Sequence, residues 1–398
     1  MSHSILTKLA HLGTAPCDAD HPVAPVALPS IRTSTVRFNT VADLHETYRR
    51  KNAGERIAGY GRGGMDTHAA FEEMMCTLEG GERAFLAPSG LGSISMVLLS
   101  LLSAGDHMLV ADCVYGPVRV MQDTVLKRMN ISSTFCSFSD VDSLEQHLQP
   151  STRILYLESP GSLLFEMLDV PALVAFAKKH NLIVVADNTW GSGMAYRPLD
   201  LGADISLVAV TKYIGGHSDL LMGAVVVKGE ELIKRIDTNQ YALGYSVSAD
   251  DVWLALRGAR TLDVRMQRHA LNALAVCDFF AQQAETLQIY HPAYAQDKNH
   301  ALWQRDAIGS NGMMSVALKL SKKQTEEFVN ALELFSIGYS WGGYESLVEM
   351  VGTDYMPQHA YWNAEYPNLV RLHIGMEYVG DLIADLEQAL HKARAVSA

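Results

Sequence analysis

The chain is poor in cysteine. Its five cysteines stand at 17, 76, 113, 136 and 277, an odd number without CxxC spacing. That pattern offers no disulfide framework and no structural zinc site, and reads as reduced thiols filling the core. Runs of lysine or arginine are also missing, and the net charge is −12. A surface of that sign gives nucleic acid or an anionic membrane nothing to bind. No stretch is long and apolar enough to span a bilayer. The opening MSHSILTKLAHLGTAP is too short in apolar residues for a secretory signal, so a cytoplasmic protein is expected. Internal repeats and low-complexity tracts are absent. What remains is an ordinary globular composition, 48% hydrophobic and 19% charged over 398 residues, enough for one large core and a smaller attached domain.

Residues 1–65 read as an arm. HPVAPVALPSIRTSTVRF mixes prolines with β-branched residues, which favours extended, irregular chain. Its apolar content favours lying across another surface, most simply a second subunit. The arm ends in Tyr60-Gly61-Arg62-Gly63-Gly64, where a hydroxyl and a guanidinium on a glycine-rich turn could bind an anion.

From residue 66 a regular alternation begins. A helix over THAAFEEMMCTLE stops at glycine, ERAFLA reads as a strand, and a second helix opens at Ser89-Gly90-Leu91-Gly92. Strand, small residues and helix start together aim free N–H groups at an anion. Neither GxGxxG nor GxxxxGK[ST] opens that helix, which disfavours a nicotinamide dehydrogenase or a P-loop. DHMLVAD, RILYLESPGS, LIVVADNTW and ADISLVAVTKY read as further buried strands separated by helices. Such an order predicts a parallel sheet with right-handed crossovers over 66–258. Tyr115, Glu158, Asp187 and Lys212 would then share the carboxyl edge of that sheet, where ligands of open α/β sheets bind. Residues 252–285 read as one long helix, and 259–398 as an α+β C-terminal domain with amphipathic helices between strands.

An aspartate and a lysine at the ends of successive strands, with an anion seat upstream, suit pyridoxal phosphate chemistry. Lys212 can carry the aldehyde, and a carboxylate at Asp187 can keep the ring nitrogen protonated. At these residues the chain resembles the cysteine and methionine metabolism family of fold type I pyridoxal phosphate enzymes. The matching segments are YGRGG at 60, PSGLGSIS at 88, DCVYGP at 112, LESPGS at 157, ADNTW at 186, TKYIGGHSD at 211, YSWGGYES at 339 and VRLHIGME at 370. They run nearly the whole chain in the right order.

The resemblance implies a large, mostly parallel α/β domain with a smaller α+β domain, and pyridoxal 5′-phosphate as cofactor with no metal. It implies Lys212 as the Schiff-base lysine, Asp187 as the partner of the ring nitrogen, and Gly90, Leu91 and Thr211 as phosphate donors. Tyr60 and Arg62 resemble the pair that reaches the phosphate across a dimer interface, in an assembly expected to be a tetramer. Tyr115 resembles the tyrosine stacked on the ring, with a second role in handling a proton. Arg371, with Ser340 and Trp341 beside it, resembles the clamp for the substrate α-carboxylate. Tyr339 stands where β-specific members carry tyrosine and γ-specific members tend to carry glutamate. A carbon–sulfur β-elimination from cystathionine or a related cysteine S-conjugate is therefore expected, giving a thiol, pyruvate and ammonia. A γ-reaction in the same site and a non-catalytic binding module are the alternatives. Gly63 and Val120 depart from the β-lyase pattern, which places an arginine and an acidic residue there. Ala209 replaces a phosphate-binding serine of many relatives.

Overall fold

A computed structural model describes residues 3–397. Two sheets organise the chain. The larger has seven strands: β1 (Arg83–Ala87), β2 (His107–Ala111), β3 (Ser132–Cys136), β4 (Thr152–Glu158), β5 (Ile183–Asp187), β6 (Ile205–Ala209) and β7 (Gly223–Val227). Their order is β1-β7-β6-β5-β4-β2-β3. The pairs from β6 through β3 are parallel, whereas β7 runs antiparallel to both β6 and β1. The strands are short and almost wholly buried, as expected where helices cover both faces of a parallel sheet. Edge strand β3, SSTFC, is half exposed, and its polar sequence gave no periodic signal.

The smaller sheet has five strands, β8 (Thr286–Tyr290), β9 (Met313–Leu318), β10 (Ser336–Ile337), β11 (Leu347–Val351) and β12 (Asn368–His373), in the order β10-β11-β12-β9-β8. Its apolar face packs with Val276 and Phe280 of one long helix and Leu382, Leu386 and Leu390 of the last helix, forming a second core. The sheets and helices together bear out the mixed α/β reading. The single helix expected over 252–285 is instead two, Ala249–Ala259 and Leu262–Ala281, separated at Arg260–Thr261. The break falls two residues after Gly258, inside an otherwise continuous apolar pattern. The arm is irregular over most of 21–38, as expected, but is flanked by helices Ile5–His11 and Val41–Asn52. No helix among the described residues is long and apolar enough to cross a membrane.

Candidate active site

The apolar run of β6 delivers Lys212 just beyond the sheet. A tight turn follows, in which Lys212 N–H donates to the Ala209 carbonyl at 3.1 Å and Gly216 N–H to the Lys212 carbonyl at 2.8 Å. Arg265, deep in the Leu262–Ala281 helix, braces this turn from below. Its guanidinium donates to the carbonyls of Tyr213 at 2.6 Å and Gly258 at 2.8 Å, and its Nε to Thr261 Oγ1 at 3.1 Å. These partners are neutral, and burial pulls the Arg265 pKa down to about 10. Gly216 has φ +69°, and a side chain there would run into the Arg265 guanidinium.

Lys212 Nζ donates to Ser340 Oγ at 2.8 Å and lies 5.1 Å from the Trp341 ring centre. Burial, reinforced by the positive charge of Arg371, pushes its pKa down to about 8. Thr211 is committed locally: its N–H and hydroxyl donate to the Met222 carbonyl at 3.1 and 3.2 Å, and the hydroxyl accepts from Met222 N–H at 3.0 Å.

Asp187 ends β5, paired across the sheet with Glu158 on β4 and Leu207 on β6. One carboxylate oxygen, Oδ1, accepts from the Thr189 N–H at 3.0 Å and the Thr189 hydroxyl at 2.6 Å. That hydroxyl in turn accepts from Ala209 N–H at 2.9 Å, tying the ends of β5 and β6 together. Burial raises the Asp187 pKa, while the Thr189 bonds hold it down. Glu158 Oε2 accepts from the Tyr115 N–H at 2.6 Å and so fixes the loop that carries this half-exposed tyrosine. Burial, with the Asp187 charge beside it, raises the Glu158 pKa well above the ordinary carboxyl value.

The helix Gly90–Leu101 starts beside the end of β6. Ser89 caps it, its hydroxyl accepting from Gly92 N–H at 2.9 Å. A Cβ on Gly90 would lie 2.6 Å from Ala209 Cβ, so only glycine lets the helix start come this close. The N–H groups of Gly90 and Leu91 belong to the first turn, which lacks partners within the helix. Across the cleft, Arg371 on β12 donates through Nη2 to the Tyr339 carbonyl at 2.6 Å. The segment 339–341 therefore touches both Arg371 and Lys212, although the Tyr339 side chain is 85% exposed. Tyr60 and Arg62 do not join this group. The Arg62 guanidinium rests over the rings of Tyr60 and Tyr241, at 5.7 and 4.8 Å, and no hydrogen bond or ion pair among the described residues links either residue to Lys212, Asp187 or Arg371.

A cavity of about 590 Å³ opens elsewhere, at the β3 edge among Gly105, Gln122, Lys127 and Ser133. It contains none of the residues above and is an open polar groove. The sequence reading placed Glu158 at the sheet edge without a role, and missed Thr189, Arg265 and Glu349, whose Oε2 lies 2.7 Å from Arg371 Nη2. Thr189 sits inside ADNTW and was open to discovery. Arg265 and Glu349 act across long separations that no local pattern signals.

A sequence model of the Cys/Met metabolism PLP-dependent enzymes matches residues 7–391. The chain belongs to this family. It is 58% identical over 387 residues to the cystathionine beta-lyase of Bordetella avium, with 97% of each chain covered. It is 38% identical over 370 residues to the cystathionine beta-lyase of Escherichia coli, covering 89% of this chain and 91% of that one. Among solved structures, the cystathionine gamma synthase of Xanthomonas oryzae pv. oryzae in complex with cystathionine superposes with a TM-score of 0.88 at 31% identity, covering 99% and 100% of the two chains.

Pyridoxal phosphate is accordingly the cofactor of this fold type I enzyme. The residues present fit it on their own chemistry. A buried amine with a lowered pKa, a buried carboxylate one strand away, and a helix start cleared of side-chain bulk by Gly90 supply the groups its aldehyde, ring nitrogen and phosphate need.

Proposed function

We propose that this enzyme is a carbon–sulfur β-lyase that cleaves cystathionine, or a related cysteine S-conjugate, to a thiol, pyruvate and ammonia. The 58% identity to a named cystathionine beta-lyase over 97% of both chains is the observation that carries this reading. The gathering of Lys212, Asp187 and Arg371 supports it from the side of chemistry.

In this reading Lys212 would hold the cofactor covalently, Asp187 its ring nitrogen, Gly90, Leu91 and Thr211 its phosphate, and Tyr115 one ring face. Because Ala209 brings no hydroxyl and Thr211 already bonds Met222, the helix start carries more of the phosphate than in serine-bearing relatives. When bound, pyridoxal phosphate supplies an electron sink for negative charge at the substrate Cα. Arg371 grips the substrate α-carboxylate, with Ser340 and Trp341 shaping the wall and Tyr339 at its rim. Once the substrate amine has displaced it and freed its Nζ, Lys212, with a pKa lowered to about 8, takes the α-proton onto Nζ, and Ser340 Oγ is its hydrogen-bond partner at 2.8 Å. The same Nζ, or the Tyr115 hydroxyl, returns a proton to the departing sulfur. The three-carbon remainder then hydrolyses to pyruvate and ammonia.

The domain division at 65 and 258, the cytoplasmic setting, and an assembly with shared active sites belong to the same proposal. Tyr60 and Arg62, exposed and apart from the Lys212 group in one chain, would complete the phosphate site of a neighbouring subunit. Gly63 and Val120 leave the outer pocket without the charges expected for the distal end of cystathionine, which favours smaller or more apolar S-conjugates. The solved γ-synthase and γ-lyase neighbours at 31% identity give weaker support to a γ-reaction in the same site as a second reading.

A panel of cystathionine, cystine and S-alkyl cysteines separates the two. Pyruvate is the expected product, and dominant 2-oxobutyrate would establish the γ-reaction instead. The Lys212→Ala variant is expected to lose at least about 10³-fold in turnover; pyruvate release at a native rate would remove Lys212 from the chemistry.

A further inference from the structure

The residue assigned to the substrate carboxylate already faces a carboxylate of the protein. Glu349 on β11 and Arg371 on β12 are direct partners in the antiparallel register, so their side chains share one face of the small sheet. Glu349 Oε2 lies 2.7 Å from Arg371 Nη2, with side-chain exposures of 19% and 12%. Yet Glu349 Oε2 is buried without a directed hydrogen bond among the described residues. The directed bond of the same Nη2 goes to the Tyr339 carbonyl at 2.6 Å. The Glu349 contact is therefore electrostatic rather than a forked, bidentate grip, and the remaining guanidinium N–H groups stay available to a ligand.

Resting on the assignment of Arg371 as the carboxylate clamp, we propose that Glu349 is a positioning residue that opposes substrate at that clamp, so that its negative charge sets how tightly amino-acid carboxylates bind. Without substrate, Glu349 neutralises a guanidinium that burial would otherwise leave uncompensated. With substrate, two carboxylates converge on one cation. Strand register holds the Glu349 backbone opposite Arg371, since β11 is paired to β12 along its length and to β10 at Leu347 and Val348. The repulsion between carboxylates falls on every amino-acid ligand alike. It acts on the α-carboxylate and not on the carbon–sulfur bond, so it weakens binding without slowing the chemical step.

The test uses the holoenzyme and two measurements: KM and kcat for cystathionine, and the calorimetric Kd of glycine, which has no β-carbon to eliminate. Glu349→Gln keeps the shape and removes the charge. It is expected to lower both KM and the glycine Kd by at least about fivefold, the size that like charges about 4 Å apart have even under full water screening, with kcat within about twofold of native. Glu349→Leu is expected to shift both constants in the same direction, and serves if Glu349→Gln is unstable. A rise, or no change, in KM and Kd in these variants would overturn the proposal, because a residue that merely holds Arg371 in place would weaken the clamp when lost. Arg371→Lys separates the two layers of the inference. If it raises KM and Kd, the clamp stands whatever Glu349 does; if both constants are unmoved, the clamp assignment fails and the role of Glu349 with it.

Discussion

An ordinary lysine titrates near 10.4 and is almost wholly charged at neutral pH. Lys212 is brought to about 8 because water is excluded from its ammonium and because Arg371 places a second positive charge nearby. The sign gives a direct prediction. Addition of the amine to an aldehyde needs its neutral form, so apoprotein should take up pyridoxal phosphate faster as pH rises, about tenfold per unit below 8 and levelling above it. Stopped-flow absorbance of the uptake from pH 6 to 10 measures this. A rate still climbing about tenfold between pH 8 and 9 would mean that Lys212 is an unperturbed amine. The lysine itself was legible in the sequence, because an apolar run ended abruptly in TKY. The contacts that lower its pKa were not, since burial in the cleft and Arg371, on a strand of the other sheet, set it.

The turn after β6 owes its shape to a brace outside its own sequence. Arg265 donates to the Tyr213, Ile214 and Gly258 carbonyls and to the Thr261 hydroxyl, with no carboxylate among its bonding partners. Arg265→Leu would leave the buried Tyr213 carbonyl without its donor, while the Gly258 carbonyl keeps the Thr261 N–H and hydroxyl. The expected loss is about 3 kcal/mol in urea unfolding, together with weaker retention of the cofactor. A loss below about 1 kcal/mol would show that the turn holds itself. The break at Arg260–Thr261 belongs to the same arrangement, for Gly258, Thr261 and Arg265 all meet there. Apolar periodicity ran straight through it because both helices face a core. The antiparallel strand β7 was hidden for a related reason: Val225, Val226 and Val227 are fully buried and carry no directional signal.

Across the whole molecule, one chain gathers Lys212, Asp187, Ser340 and Arg371, while Tyr60 and Arg62 lie with Tyr241 elsewhere. If a neighbouring subunit supplies them, a site contains Lys212 of one chain and Arg62 of another. Lys212→Ala and Arg62→Ala subunits, each impaired alone, should then regain activity on mixing and reassembly. A hybrid of a two-fold symmetric dimer would have one site with both changes and one site with neither, so about half of native activity per hybrid dimer is expected. Assays before and after reversible dissociation, with the hybrid isolated by differential tagging, measure it. Mixed samples that never exceed the sum of the separate variants would place each site within a single chain.

The alternation of β1, β2, β4, β5 and β6 with helices, the carboxyl-edge placement of Asp187 and Lys212, and the motifs that mark the family could be taken from the sequence alone. Each depends on local periodicity or on contiguous residues. Only the tertiary structure decided what lowers the Lys212 pKa, what braces its turn, and that Glu349 stands against Arg371. Those are contacts between residues 22 to 159 positions apart in the chain, created by strand register and helix packing, and no short stretch of sequence encodes them.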